Sequence, residues 1–128
     1  MTEKRFTLSK NERLSWKRYI DLLFEKGQSF IAFPLRVIFY TTEEEMPAQS
    51  SILISVSKKR LKRAVKRNKI KRQVREAYRL QKNDLLPLLN EKKTNLLIAF
   101  LYIDKEIHEH SVIEKAMAKT IKRLNENV

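Results

Sequence analysis

Residues 55–82 read Ser-Val-Ser-Lys-Lys-Arg-Leu-Lys-Arg-Ala-Val-Lys-Arg-Asn-Lys-Ile-Lys-Arg-Gln-Val-Arg-Glu-Ala-Tyr-Arg-Leu-Gln-Lys, and this run constrains the chain more than any other part of it. It holds thirteen lysines and arginines against one acid, Glu76, so that +12 of the chain's net +13 is local. Charged side chains of one sign cannot form a core, so the run must lie on a surface. Its periodicity says how. At roughly 100° per residue, Ile70, Val74, Ala77 and Tyr78 share one face of a helix, whereas Asn68, Arg72, Arg75 and Arg79 line the opposite face with Lys71 beside them. Like charges three or four residues apart on a helix cost roughly 0.2–0.5 kcal/mol per pair. A rigid cationic row with so little acidic relief points to a polyanionic partner. Phosphate fits best, because guanidinium presents a planar fork of donors to phosphate oxygens. A merely solvated basic face is the alternative.

The flanking sequence places that helix in a mixed fold. Ser9 and Glu12 have the spacing of a capping box, and Trp16, Tyr19, Ile20, Leu23 and Phe24 follow at helical spacing until Gly27, a residue suited to the left-handed turn that ends a helix. Residues 29–40 are aromatic and β-branched with Pro34 interrupting, which predicts a short strand and then a second over Leu35–Tyr40. Glu43, Glu44, Glu45 and Pro47 predict a solvated loop. Ile52, Ile54 and Val56 alternate with Leu53, Ser55 and Ser57 as in a strand with one greasier face. After the basic helix, residues 83–94 predict a short helical turn. Leu96–Ile103 is apolar on both faces, so it belongs in the middle of a sheet. Ser111 and Glu114 repeat the capping-box spacing ahead of Ile113, Met117, Ile121 and Leu124. The expected fold is α+β, a single α-β-β-β-α-β-α sandwich with a four-stranded sheet and a basic central helix. With 128 residues and no linker or internal repeat, residues 1–128 read as one domain.

Composition excludes several functions. The chain has no cysteine, which removes a disulfide scaffold, a thiolate nucleophile and any Cys-based metal site, and accords with a reducing cytoplasm. The first residues carry no apolar run fit for a signal peptide. The eight residues Leu96–Ile103 fall well short of the roughly 20 that a membrane helix needs, so no membrane association is expected. There is no glycine-rich phosphate loop and no dense carboxylate cluster on the predicted strand ends. His108 and His110, in Ile-His-Glu-His, could share a metal on a strand but stand beside a helix start in a polar turn, and no metal site is expected of them.

Three segments, Ser55-Val56-Ser57-Lys58-Lys59, Ala64-Val65-Lys66-Arg67-Asn68-Lys69-Ile70-Lys71-Arg72 and Arg75-Glu76-Ala77-Tyr78, together resemble the signature of the protein subunit of bacterial ribonuclease P. That family carries an Arg-Asn-Arg motif followed by Lys-Arg on the helix after a strand. Arg67-Asn68-Lys69 and Lys71-Arg72 match it, with Lys for the second Arg. Lys10-Asn11-Glu12, Leu23-Phe24-Glu25-Lys26-Gly27 and Val37-Ile38-Phe39-Tyr40 extend the resemblance over most of the chain. One departure is Arg60-Leu61-Lys62-Arg63, which stands where the family commonly has a short Gly-Asn connection.

The resemblance implies a protein without catalytic residues of its own that binds a catalytic RNA and the 5′ leader of precursor tRNA, magnesium being used by the RNA subunit. It implies RNA contacts from Lys58, Lys59, Arg67, Asn68, Lys69, Lys71, Arg72, Arg75 and Arg79. It also implies a leader cleft between the first helix and the sheet, with Phe24, Arg36, Ile38 and Tyr40 as candidates. Ile20 stands where the family tends to carry a second aromatic. No obligate protein partner is implied. Two other readings share the charge: a structural RNA-binding protein of ribosomal type without turnover, and a duplex-DNA binder using residues 62–82 as a groove helix. The second fits less well, since a base-reading helix mixes polar residues and only Asn68, Gln73 and Gln81 are available.

Overall fold

The computed structural model describes residues 17–44, 46 and 48–128. The elements run α1 Lys17–Lys26, β1 Gln28–Ala32, β2 Leu35–Thr42, β3 Ser50–Val56, α2 Ala64–Gln81, a single 3-10 turn Lys82–Asp84, α3 Leu86–Lys92, β4 Asn95–Tyr102 and α4 His110–Asn127. The fold is α+β as expected, with the predicted short helical segment before the last strand resolved into the 3-10 turn and α3. The Ser9–Glu12 capping box, Trp16, Glu45 and Pro47 lie outside the described residues.

The four strands form one mixed sheet in the order β1-β2-β4-β3. β2 pairs antiparallel with β1 and β4, and β3 pairs parallel with β4. The doubly apolar run therefore lies in an interior strand, where Leu96, Leu97, Ile98, Ala99 and Phe100 have no exposed surface. Alternation splits these residues between two cores. On one face Leu96, Ile98 and Phe100 join Val37, Phe39 and Ile52 under α2 and α4, which contribute Ile70, Val74, Tyr78, Ile113, Met117 and Leu124. On the other, Leu97, Ala99 and Ile38 pack with Tyr19 and Leu23 of α1. The buried Tyr78 hydroxyl donates to Ser50 Oγ at 2.6 Å, which meets the polar need of the largest fully buried side chain among the described residues.

Two local expectations change. Gly27 does not take a left-handed conformation; among the described residues the positive φ belongs to Lys93, at 54°, after α3. Gly27 is required for space instead. A Cβ built on it would lie 2.3 Å from the Leu23 carbonyl oxygen, 2.8 Å from Ile38 Cγ2 and 3.0 Å from the Phe39 carbonyl oxygen, because the chain leaves α1 directly against β2. At the other end, Ser111 is not the cap of α4. The helix begins at His110 behind an extended Glu109, whose carbonyl accepts from the Val112 amide at 3.0 Å, and Glu114 pairs with the His110 ring at 3.1 Å rather than reaching back to a cap.

Gly27→Ala should lower stability by roughly 1–3 kcal/mol through this overpacking. Urea unfolding measures it, and an unchanged midpoint would mean that the α1–β1 junction relaxes freely.

Candidate nucleic-acid interface

α2 divides as its periodicity requires. Ile70, Val74, Ala77 and Tyr78 are fully buried. On the outward side Asn68, Lys69 and Arg72 are exposed, and Lys71 and Arg75 are half-buried. Arg79 is on the same side but engaged: its Nε donates to Glu76 Oε2 at 3.0 Å and a second nitrogen of its guanidinium bonds Glu76 Oε1. The lone acid of the basic run thus neutralises the last arginine of the row. Its carboxyl is held below the ordinary value near 4.5, first by the hydrogen bond from Arg79, against a smaller upward push from burial. Val65, 80% exposed, precedes Asn68 by three residues and Arg72 by seven, so an apolar side chain stands in the cationic row.

Arg67 does not belong to that row. It precedes Ile70, Val74 and Tyr78 by three, seven and eleven residues, which puts it on the edge of the buried face, and that spacing was legible in the sequence. The Arg67 guanidinium donates to the carbonyls of Leu61 and Lys62 at 2.9 and 2.8 Å. These bonds close the turn that the longer Arg60–Arg63 connection makes. Within it the Ser57 carbonyl accepts from the amides of Arg60 and Leu61 at 3.2 and 3.0 Å, and Ser57 Oγ accepts from the Lys59 amide at 3.1 Å. Leu61 buries its side chain in the α2 core. Arg60, at the start of that connection, donates to the Ile103 carbonyl at 2.7 Å beyond the end of β4. The turn needs no glycine because a buried leucine and two arginines anchor it. Lys58 and Lys59 stand exposed on its outer side.

The α1 face of the sheet is built in cross-strand rows. One row holds Ile31, Arg36, Leu101 and Ser55, the next Ser29, Ile38, Ala99 and Leu53, and the third Tyr40, Leu97 and Ser51. Arg36, Ile38 and Tyr40 share this face as the alternation predicted. Their exposure differs. Ile38 is buried beneath α1 and forms floor, Tyr40 is half-buried at the edge of the same cluster, and Arg36 is exposed. Phe24 on α1 is 47% exposed and stands apart from the buried cluster. α2 with its cationic row and α1 lie on opposite faces of the sheet.

The family model described as Ribonuclease P matches residues 8–125. The chain belongs to the ribonuclease P protein family. A ribonuclease P protein component from Porphyromonas gingivalis is 45% identical over 123 residues, spanning 96% of this chain and 90% of that protein. One from Chlorobium phaeobacteroides is 36% identical over 105 residues, spanning 76% and 72%. Among solved structures, the RNase P protein of Staphylococcus aureus superposes with a TM-score of 0.71 at 25% identity, covering 89% of this chain and 95% of that one. That of Thermotoga maritima gives 0.68 at 26% identity, covering 88% and 96%.

In this ribonuclease P family member the histidines are tied locally. His108 pairs through Nε2 with Asp104, holding that carboxyl below its ordinary range, and His110 pairs with Glu114. Tyr102, its hydroxyl bonded to the Glu106 carbonyl, is pushed up to about 12, chiefly by burial. Among the described residues no three His, Asp or Glu side chains are grouped to hold a metal, and no helix is long and apolar enough to cross a membrane.

The Glu76–Arg79 pair has a defined pH signature. A carboxylate whose folded pKa is depressed stabilises the fold above its unfolded pKa, and that contribution disappears as pH falls through the lower folded value. A carbon-13 NMR titration of Glu76 should give a midpoint below 4.5, and Arg79→Ala should return it towards 4.5. A midpoint unmoved by the substitution would show the pair to be broken in solution.

Proposed function

We propose that this chain is the protein subunit of a ribonuclease P ribonucleoprotein, binding the catalytic RNA along α2 and the single-stranded 5′ leader of precursor tRNA across the α1 face of the sheet. The observation that carries the proposal is the outward row of Asn68, Lys69, Arg72 and Arg75 on a helix whose opposite side is fully buried. A helix so anchored cannot turn its cations away from one another, and a phosphate backbone relieves their repulsion while releasing counterions. Similar proteins named ribonuclease P protein components support a role in tRNA processing. In this reading magnesium and the hydrolysis of the phosphodiester belong to the RNA subunit. The protein supplies position and charge. The chain then acts as one RNA-binding domain in the cytoplasm without an obligate protein partner.

The two faces divide the work. Lys58 and Lys59 on the turn, with Asn68, Lys69, Lys71, Arg72 and Arg75 on α2, take phosphates of the catalytic RNA. Arg36, Tyr40 and Phe24 take the leader, Tyr40 and Phe24 by stacking on unpaired bases. Ile38 is floor for that cleft.

Adding the protein to a bacterial ribonuclease P RNA should lower the magnesium needed to cleave precursor tRNA, while protein freed of RNA should not cleave. Arg72→Ala with Arg75→Ala should weaken RNA binding and reduce the salt slope by about one unit per lost phosphate contact, with the fold intact. If the protein binds the RNA but leaves its magnesium requirement unchanged, the ribosomal-type reading replaces this one.

Tyr40→Ala should lose roughly 1–3 kcal/mol in binding precursor tRNA with a leader of several nucleotides, and mature tRNA should be scarcely affected. A large drop in melting temperature without discrimination by leader length would assign Tyr40 to the core alone.

A further inference from the structure

Arg67 sits in the most RNA-like stretch of the sequence, but its guanidinium turns back to the residues that precede the helix. It donates to two consecutive carbonyls, Leu61 at 2.9 Å and Lys62 at 2.8 Å, and its spacing from Ile70, Val74 and Tyr78 keeps its stem at the edge of the buried face. α2 has no side-chain cap hydrogen bond at Arg63 and no acid in its first turn, and the Arg67 amide reaches only back to the Arg63 carbonyl at 3.2 Å. The carbonyls that Arg67 holds belong to the turn that is also bonded by the amides of Arg60 and Leu61 to the Ser57 carbonyl, by the Lys59 amide to Ser57 Oγ, and by Arg60 to the Ile103 carbonyl. Lys58, Lys59, Lys62 and Arg63 are all exposed on this turn.

We propose that Arg67 is a positioning residue: it clamps residues 57–63 so that the lysines of the turn and the arginines of α2 are held in one fixed arrangement, and it is not itself a phosphate ligand. This rests on the RNA-binding reading above and reassigns one of the residues that the sequence resemblance gave to RNA. The clamp requires arginine. Both carbonyls are met by one nitrogen, Nη1, whose two N–H groups are held in fixed directions by the guanidinium plane, whereas a lysine ammonium is a compact point charge on a flexible stem and fixes no such pair of directions. A phosphate ligand, in contrast, would tolerate lysine at partial cost, because the charge is retained.

The test compares Arg67→Lys and Arg67→Met in the full chain with a bacterial ribonuclease P RNA transcript as probe. Amide hydrogen exchange at Arg60 and Leu61 reads the turn directly, without RNA. Both substitutions should speed that exchange at least tenfold. Both should weaken RNA binding about equally, with the salt slope of the unsubstituted protein. A direct phosphate contact predicts otherwise: Arg67→Met would lose about one unit of slope, Arg67→Lys would keep it, and the amides of Arg60 and Leu61 would exchange as before. That pattern overturns the proposal. Looser amides with unchanged RNA affinity would overturn it as well, since the turn would then not position the cations that matter. If the unsubstituted protein fails to bind the transcript, the RNA-binding reading falls, and the exchange data alone decide whether Arg67 clamps the turn.

Discussion

β3 and β4 lie side by side and parallel, and most of the molecule follows from that pairing. Parallel neighbours cannot be joined by a tight hairpin; they need a crossover that leaves the sheet, runs back along its face and re-enters at the far end. Here residues 57–94 make that crossover, with α2 as its long arm. The basic run is therefore obliged to pack on the sheet. Its apolar side supplies Ile70, Val74, Ala77 and Tyr78 to the core with Phe100 and Ile98 of β4, and burying such side chains stabilises by roughly 1.5–3 kcal/mol each. That burial outweighs the repulsion among the cations on the outer side, which is smaller per pair. The charge is displayed because the helix under it cannot move away.

The cations of the run serve different ends. Arg79 is matched by Glu76, Arg60 and Arg67 are bonded to backbone carbonyls, and Lys82 is buried. Of the others, Lys58, Lys59, Lys62, Arg63, Lys66, Lys69 and Arg72 are exposed and Lys71 and Arg75 half-buried on the outward side, so most stand in the turn and the first half of α2. The positive end of the helix dipole points the same way. The strongest field for an anion is thus near the junction of β3 and α2, and the turn there is held at both ends, by Arg60 to the end of β4 and by Arg67 to the helix.

The opposite face of the sheet is covered differently. α1 buries Ile38, Leu97 and Ala99 but leaves Ile31 and Arg36 exposed in the neighbouring row. Its close approach depends on Gly27, where any side chain would strike the Leu23 carbonyl. Arg18 of α1 also reaches Glu44 beyond β2 at 3.2 Å, an exposed pair that ties the acidic loop to the helix without adding much stability. One helix on a four-stranded face leaves a partly covered surface with aromatic and cationic edges.

The elements were legible in the sequence, because each rests on local periodicity: the helical spacing of Ile70, Val74, Ala77 and Tyr78, the doubly apolar Leu96–Ile103, and the alternation that puts Arg36, Ile38 and Tyr40 on one side. The sequence also determined the sign and place of the charge. What it could not supply was the partner of each charged or polar group. Arg67 and Arg72 look alike in a motif, and the single glycine looks like a helix terminator. It took the folded arrangement to show that Arg67 bonds the turn, that Arg79 is neutralised, that Ile38 is covered by α1, and that Gly27 is small because the Leu23 carbonyl and β2 crowd it. Periodicity is a property of consecutive residues. Which carbonyl, acid or helix lies opposite a side chain depends on segments far apart in the chain, brought together by the crossover and the packing of α1.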